Sequence, residues 1–154
     1  MQALITLSHG SRHDVAQRGV ERLTAAAAIT LGVEAVDAHL EFNTPDLAGA
    51  AEVAADAGYT SAVVVPLLFT RAFHATVDVP AALSQARAAT GVQLTLANGL
   101  GQGADIVDVL ARRVLRDSLP SVPVVLYPVG TSNLEAAART RALGAALAEK
   151  IDRD

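Results

Sequence analysis

Cysteine is absent from the 154 residues, and aromatic residues make up only 3% of them. The lack of cysteine excludes disulfides, thiolate metal ligands and cysteine nucleophiles, so any metal must be held by histidine, by carboxylates or by a substrate. The 12 basic residues are outnumbered by 16 acidic ones, which gives a net charge of −4. Without a basic surface or aromatic residues for base stacking, nucleic acid is not an expected partner.

Long apolar runs are also absent. No run approaches the roughly 18 residues that a membrane helix needs. Met1 and Gln2 lead directly into strand-like sequence, without the basic and apolar regions of a signal peptide. We therefore expect a soluble, cytoplasmic protein without membrane contact. A chain of this length can form one domain that buries roughly 70% of its unfolded surface.

Short apolar runs alternate with longer, alanine-rich amphipathic stretches, which is the pattern of βα units in a parallel sheet. A helix should follow each strand, and the strands are expected at Ala3–Leu7, Val33–Phe42, Ser61–Phe69, Val92–Ala97 and Pro123–Tyr127. In the stretch after the first strand, apolar residues recur at spacings of three and four. This spacing predicts that the first helix buries Val20, Leu23, Ala27 and Leu31.

The character of the runs predicts the order of the strands. The third run contains AVVVPLLF, residues 62–69, which is apolar on both faces and suits a central strand. The second run alternates, so its polar residues, including His39, should face solvent as in an edge strand. We predict a flavodoxin-like open parallel sheet of order 2-1-3-4 with helices on both faces, plus a fifth βα unit. In this order the crossovers change direction between strands 1 and 3, where open α/β sheets bind ligands.

A histidine follows strand 1, and another follows strand 3. His9 follows strand 1 in LSHGSR, residues 7–12, and His74 follows strand 3 in TRAFHATVDVP, residues 70–80. Neighbouring strands lie about 4.8 Å apart, so the two loops can face each other across a metal-sized gap. Glu41, at the end of strand 2, should lie at the same rim.

The other two histidines are interpreted without a role in chemistry. His13, at the entry of the first helix, should be solvated, and His39 should be structural. Asp78 is interpreted as the N-cap of the third helix. The glycines of NGLGQG, residues 98–103, have the wrong spacing and position for a dinucleotide loop and predict a tight turn lining the pocket.

Four segments, taken together, resemble the sirohydrochlorin chelatases of the class II chelatase superfamily, in family order over about residues 3 to 116. They are LSHGSR, LEFNTPDL at 40–47, VVVPLLFTRAFHATVDVP at 63–80 and NGLGQGADIVDVLARRV at 98–114. The resemblance implies insertion of a divalent metal, cobalt or iron and in some cases nickel, into the tetrapyrrole sirohydrochlorin, for cobalamin or siroheme biosynthesis. The metal is then a substrate, and no organic cofactor is implied.

The resemblance also assigns residues to this chemistry. His9 and His74 correspond to the family's two active-site histidines, as catalytic groups and metal ligands, and Glu41 corresponds to its acidic residue after the second strand. Imidazole, with an ordinary pKa of about 6.5, can accept a pyrrole proton or offer a lone pair to a metal. The implied substrate contacts are carboxylate binding, further hydrogen bonds and apolar contact, by Arg12, Arg71, Ser8, Ser11, Leu68 and Phe73.

Interpretations in which these residues have no functional role stay open, and so do two other functions. In the alternative interpretation, Glu41 is only a solvent-facing residue of an edge strand, and the arginines are only surface charges. A histidine phosphatase would also place a histidine after strand 1, but it is expected to have arginine directly before it, where this chain has Ser8. A flavodoxin-like module that binds a ligand or metal without catalysis would use the same edge of the sheet but would not need two facing histidines.

The last part of the chain is similar to the first. Residues 124–148 resemble residues 4–28, with Gly130 aligned to Gly10 and Val129 at the position of His9. We therefore expect a chelatase-like domain over 1–118 and, over 119–154, a βα unit resembling the start of a second, degenerate half. The family that the chain resembles includes long forms with two similar halves and short forms that associate as homodimers. A homodimer is therefore a further expectation.

Overall fold

The structure is a computed structural model that describes residues 2–70, 77–120, 122–128 and 130–152. Within these ranges lie β1 (Gln2–Ser8), α1 (Asp14–Leu31), β2 (Ala35–His39), α2 (Leu47–Asp56), β3 (Ser61–Pro66), α3 (Val79–Thr90), β4 (Gln93–Leu96), α4 (Ala104–Asp117) and α5 (Leu134–Ile151). They form two compact units, the first with β1 to β4 and α1 to α3, the second with α4 and α5. None of the helices described is both long and apolar enough to cross a membrane.

The sheet of the first unit is parallel, with the predicted order β2-β1-β3-β4. β1 lies between β2 and β3, so Ser8 is beside His39 on one side and Leu7 is beside Pro66 on the other. β2 is an edge strand and β3 a central strand, as the two runs indicated. The crossovers change direction between β1 and β3, and ligands of open α/β sheets bind at the carboxyl ends of such strands.

One face of this sheet carries the apolar core. Ile5, Leu7 and Val64 are fully buried there against α2 and α3. Burial of one such side chain contributes about 1.5–3 kcal/mol. The helices contribute mainly alanine and leucine, which allows close packing on the sheet: Leu47, Ala50, Ala51, Ala54, Leu83 and Ala86.

Side chains alternate along a strand, so the opposite face of β1 carries Leu4, Thr6 and Ser8 and is more polar than the core face. Thr6 on that face hydrogen-bonds Thr24 of α1, with 2.5 Å between the hydroxyl oxygens, and Thr24 in turn donates to the carbonyl of Val20. Thr24 is the buried residue of α1, whereas Leu23 is 50% exposed. Our predicted face for this helix was wrong at Leu23 and Leu31, because α1 turns a threonine toward a polar sheet face.

The prediction that His39 faces solvent was also wrong. Its side chain is buried, at 1% exposure for the residue, beside Ser8 on the sheet face that bears Thr6. His39 Nε2 lies 3.2 Å from Asp37 Oδ2, and Nδ1 lies 2.7 Å from Ser8 Oγ. A carboxylate only accepts hydrogen bonds, so Nε2 donates to Asp37, while Nδ1 and the Ser8 hydroxyl share the second hydrogen bond.

The second unit is held by contacts between its two helices. Ala111 of α4 packs against Leu147 and Ile151 of α5, with partly buried apolar side chains beside them. Lys150 Nζ lies 2.7 Å from Asp108 Oδ1. The hydrogen bond and charge of Lys150 lower the pKa of the Asp108 carboxyl below its ordinary value.

The fifth βα unit is present only as its helix. α5 follows the run 123–127 as predicted, but the structure assigns no strand to that run. Val125 and Tyr127 are 83% and 89% exposed. A strand needs a neighbour for its backbone hydrogen bonds. The four strands described all belong to the first unit, so the described part of the second unit offers this run no strand to pair with.

We expect His39→Ala to lower the free energy of unfolding of the first unit by about 2–4 kcal/mol, because it leaves the Asp37 carboxylate and the buried Ser8 hydroxyl without their partner. Urea denaturation followed by circular dichroism measures the change. His13→Ala is the matched control, since His13 is exposed and should change stability by less than about 0.5 kcal/mol. Equal stability of the two variants would contradict a structural role for His39.

We expect Leu147→Ala to destabilise the second unit by about 2–5 kcal/mol, because it removes a buried side chain between α4 and α5. Leu134→Ala, on the same helix but at a residue 84% exposed, is the control. Hydrogen exchange of the α5 amides reports the difference. Similar protection in both variants would show that this contact does not hold the helices together.

Candidate functional site at the carboxyl end of β1

A close approach of two backbones forms the site. β1 ends at Ser8, and after His9 the chain turns at Gly10, whose φ is +91°. A Cβ atom on Gly10 would lie 1.7 Å from the carbonyl oxygen of Glu41, so only glycine allows the two segments to meet. Glu41 N donates to His9 O at 2.9 Å, and Leu40 N donates to Ser8 O at 2.9 Å. The backbone of Glu41 is thereby held beside His9, at the rim where we predicted both residues.

Phe42, the next residue, has an unusual backbone conformation. Its φ is +65°, and Asn43 N donates to Glu41 O at 2.8 Å across it. The bond closes a three-residue γ-turn, which is a rare and strained form when the central φ is positive. Such a conformation in a residue other than glycine costs about 1–3 kcal/mol and persists only where its surroundings hold it in place.

Asn43 provides that restraint. Its side-chain oxygen accepts from Ser11 N at 2.7 Å, and its amide nitrogen donates to Gln17 Oε1 of α1 at 3.0 Å. The turn after β2 is therefore bound both to the turn after β1 and to the first helix. The Ser11 hydroxyl accepts from His13 N at 3.1 Å and closes the turn that leads into α1.

The Phe42 ring contacts two of the predicted site residues. Its centroid lies 6.0 Å from that of the His9 ring, with 42° between the planes. The guanidinium carbon of Arg12 lies over the ring at 4.9 Å from the centroid, within the range of a cation–π contact. An imidazole, an aromatic ring and a guanidinium therefore form one contiguous group, which we call the His9–Phe42–Arg12 group.

Other predicted residues have different surroundings. Ser8 is 7% exposed, and its oxygen accepts from Gly10 N at 3.2 Å besides sharing a hydrogen bond with His39, so the hydroxyl stabilises the turn. Leu68 is partly buried and packs against the core. Arg71, Phe73 and His74 lie outside the described residues.

The glycine loop after β4 approaches the end of β3. A Cβ on Gly99 would lie 3.1 Å from the Leu68 carbonyl oxygen and 3.3 Å from that of Pro66. Gly101 has a φ of +65° in the turn that follows. The prediction of a tight turn is thus confirmed. Asp78 immediately precedes α3, as expected of its N-cap residue, although its own backbone angles are helical.

Phe42, Asn43 and Gly10 are the residues whose structural roles the sequence analysis missed. We had placed Phe42 within strand 2, but β2 ends at His39 and Phe42 lies in the turn beyond it. The asparagine and proline of LEFNTPDL are turn residues and could have indicated an earlier end to the strand. In the part of the chain that the structure describes, no group of three or more His, Asp or Glu is arranged to hold a metal ion.

Known proteins are similar to this chain in sequence and in structure. A curated sirohydrochlorin cobaltochelatase from Sulfurisphaera tokodaii is 35% identical over 75 residues, which are 49% of this chain and 60% of that protein. The solved structure of SirB from Bacillus subtilis with Fe3+ has a TM-score of 0.84 at 24% identity, over 96% of this chain and 60% of that one. The chain thus spans about three fifths of the length of both proteins.

A shorter relative is matched over its whole length. A solved structure described as a cobalamin (vitamin B12) biosynthesis CbiX protein from Marinobacter aquaeolei is 27% identical, with a TM-score of 0.65, over 76% of this chain and 100% of that one. The family model described as CbiX matches residues 3–117, which include all of β1 to β4 and the His9–Phe42–Arg12 group. The chain therefore belongs to the CbiX family.

Proposed function

We propose that this protein inserts a divalent metal ion, cobalt or iron, into sirohydrochlorin, in cobalamin or siroheme biosynthesis. The observation that carries the proposal is the His9–Phe42–Arg12 group, in which an imidazole and a guanidinium contact the same aromatic ring near the carboxyl end of β1. Metal insertion into a polycarboxylate macrocycle uses both groups. Membership of the CbiX family and the similarity to a curated sirohydrochlorin cobaltochelatase support the assignment.

The reaction exchanges one metal ion for two protons. The two pyrrole N–H protons leave as the divalent metal enters, so the charge at the centre of the ring is conserved. His9 offers a ring nitrogen that accepts one of these protons or holds the entering metal, as imidazole does near neutral pH. In the proposal His74 does the same from the loop after β3, and the Glu41 carboxylate assists proton removal beside His9.

Arg12 is proposed to bind the periphery of the substrate. A guanidinium donates two parallel hydrogen bonds to a carboxylate, which makes it suited to the acidic side chains of sirohydrochlorin. Arg71 is proposed as a second carboxylate ligand, Ser11 as a further donor, and Leu68 and Phe73 as apolar contacts. For Ser8 the buried bond to His39 favours a supporting role over direct contact with substrate.

The proposed site residues do not identify the metal. Imidazole and carboxylate ligands accept cobalt, iron and nickel alike, so the proposed ligand set does not select one. The relatives are described with cobalt in one case and Fe3+ in another. Comparing the metallation rate with each metal in turn decides this point.

The proposal places this chemistry in residues 1–118 and regards 119–154 as the beginning of a second, degenerate half. The CbiX match ends at residue 117, which supports the boundary. α5 occupies the positions aligned with α1, since Leu134–Ile151 lies 120 residues after Asp14–Leu31. Association of two copies stays a prediction, and the mass of the protein in solution tests it.

We expect His9→Ala and His74→Ala each to lose at least about 90% of the metallation rate, since general acid–base groups contribute on the order of 10²-fold or more. The absorbance change of sirohydrochlorin with Co2+ or Fe2+ measures the rate above the uncatalysed background. Glu41→Gln should have a smaller effect, because an assisting carboxylate is not the proton acceptor.

His13→Ala is the control for these variants, as a histidine at the exposed start of α1. It should retain the parent rate, and all variants should keep the parent circular dichroism. If either His9→Ala or His74→Ala metallates sirohydrochlorin as fast as the parent does, the two-histidine mechanism is wrong for this chain.

We expect Arg12→Ala to raise KM for sirohydrochlorin about tenfold or more, which corresponds to the loss of charged hydrogen bonds worth about 1.5–3 kcal/mol. The effect should be larger at low salt, because salt screens exposed charges. Arg18→Ala, an exposed arginine of α1, is the matched control for net charge. Equal KM values for the two variants would make Arg12 an ordinary surface charge.

A further inference from the structure

We propose that Phe42 is a positioning residue that holds the Arg12 guanidinium in place relative to the His9 imidazole. This inference rests on the proposed function, in which Arg12 binds a carboxylate at the edge of the macrocycle and His9 acts at its centre. The ring of Phe42 contacts both groups and so sets the spacing between them. In the proposal, that spacing selects macrocycles whose peripheral carboxylate reaches Arg12 when the centre of the ring lies at His9.

The first argument is that packing does not account for Phe42. The residue is 51% exposed, so about half of the stabilisation available from burying an aromatic ring is not obtained. Its backbone has a φ of +65°, where glycine would be favoured. A bulky residue in this conformation at an exposed position lowers stability, and strain of this kind is concentrated at functional sites.

The second argument is that the surrounding structure holds the strained turn in one conformation. Glu41 N is bonded to His9 O, and Asn43 N is bonded to Glu41 O, on either side of Phe42. The Asn43 side chain adds bonds to Ser11 N and Gln17. The ring therefore projects from a backbone that is fixed to the same turn that carries His9 and Arg12.

The third argument concerns what the ring does to Arg12. An exposed arginine samples many rotamers, and ordering them when substrate binds weakens affinity. The Phe42 face attracts the guanidinium at 4.9 Å and restricts it before substrate arrives. Stacking leaves the N–H groups at the rim of the guanidinium plane available for a carboxylate. Phe42 therefore lowers the ordering cost of binding without donating a hydrogen bond itself.

The test compares Phe42→Gly with the parent. Glycine removes the ring and also relieves the backbone strain, so the variant should unfold at the same or a higher urea concentration than the parent. We expect KM for sirohydrochlorin to rise about two- to fivefold, the equivalent of one exposed cation–π contact. Phe42→Tyr should keep the parent KM because it retains the ring, and Tyr127→Ala is the control for loss of an exposed aromatic residue.

A double-mutant cycle tests whether Phe42 acts through Arg12. If it does, Arg12→Ala should raise KM less in the Phe42→Gly background than in the parent, by the same two- to fivefold factor. Independent effects of the two changes, or a parent-like KM for Phe42→Gly, would overturn the proposal.

A measurement without substrate separates this proposal from the proposed function. In the NMR spectrum of the parent, the ring current of Phe42 should shift the side-chain proton resonances of Arg12, and Phe42→Gly should move them toward exposed-arginine values. Absence of that change overturns the positioning role, whether or not the protein metallates sirohydrochlorin. If the Arg12 resonances do move in Phe42→Gly but the parent does not metallate sirohydrochlorin, the proposed function is rejected and the contact between Phe42 and Arg12 is confirmed.

Discussion

The contact between Gly10 and the Glu41 carbonyl is the constraint on which the candidate site depends. Two chain segments leave neighbouring strands and continue side by side only because residue 10 has no Cβ. Their backbone hydrogen bonds then fix Glu41 beside His9 and form the tight turn at Phe42. A larger residue at position 10 would separate the segments and remove the support for the His9–Phe42–Arg12 group.

The polar face of the sheet connects this turn to the interior. Asp37, His39 and Ser8 form a chain of hydrogen bonds that ends at the Gly10 amide, so a buried network restrains the residue after His9. α1 covers this face and also meets the turn after β2, since Gln17 bonds Asn43. The apolar face under α2 and α3 supplies most of the burial, whereas the polar face provides directional bonds that orient the loops.

The proposed substrate carries carboxylates, and the protein itself is acidic overall. The net charge of −4 describes the whole chain, but recognition depends on the charges near the reacting groups. Arg12 and the proposed metal-handling residue His9 both contact Phe42. In the proposal, a local guanidinium held against an aromatic ring supplies the positive charge for recognition without a basic surface.

The alternation of short apolar runs with amphipathic stretches by itself determined the α/β class. The strand order followed from the third run, which is apolar throughout, and from the second run, which alternates. Burial on both faces or on one face of a strand sets these two compositions. The sequence also placed His9 and Glu41 at one rim. Tertiary structure decided the rest. His39 is buried because α1 covers a polar face. Pro123–Tyr127 forms no strand because the described part of its own unit offers no partner strand. Phe42 lies beyond the strand because Gly10 and Asn43 restrain its turn. These outcomes depend on partners distant in sequence, which local patterns do not encode.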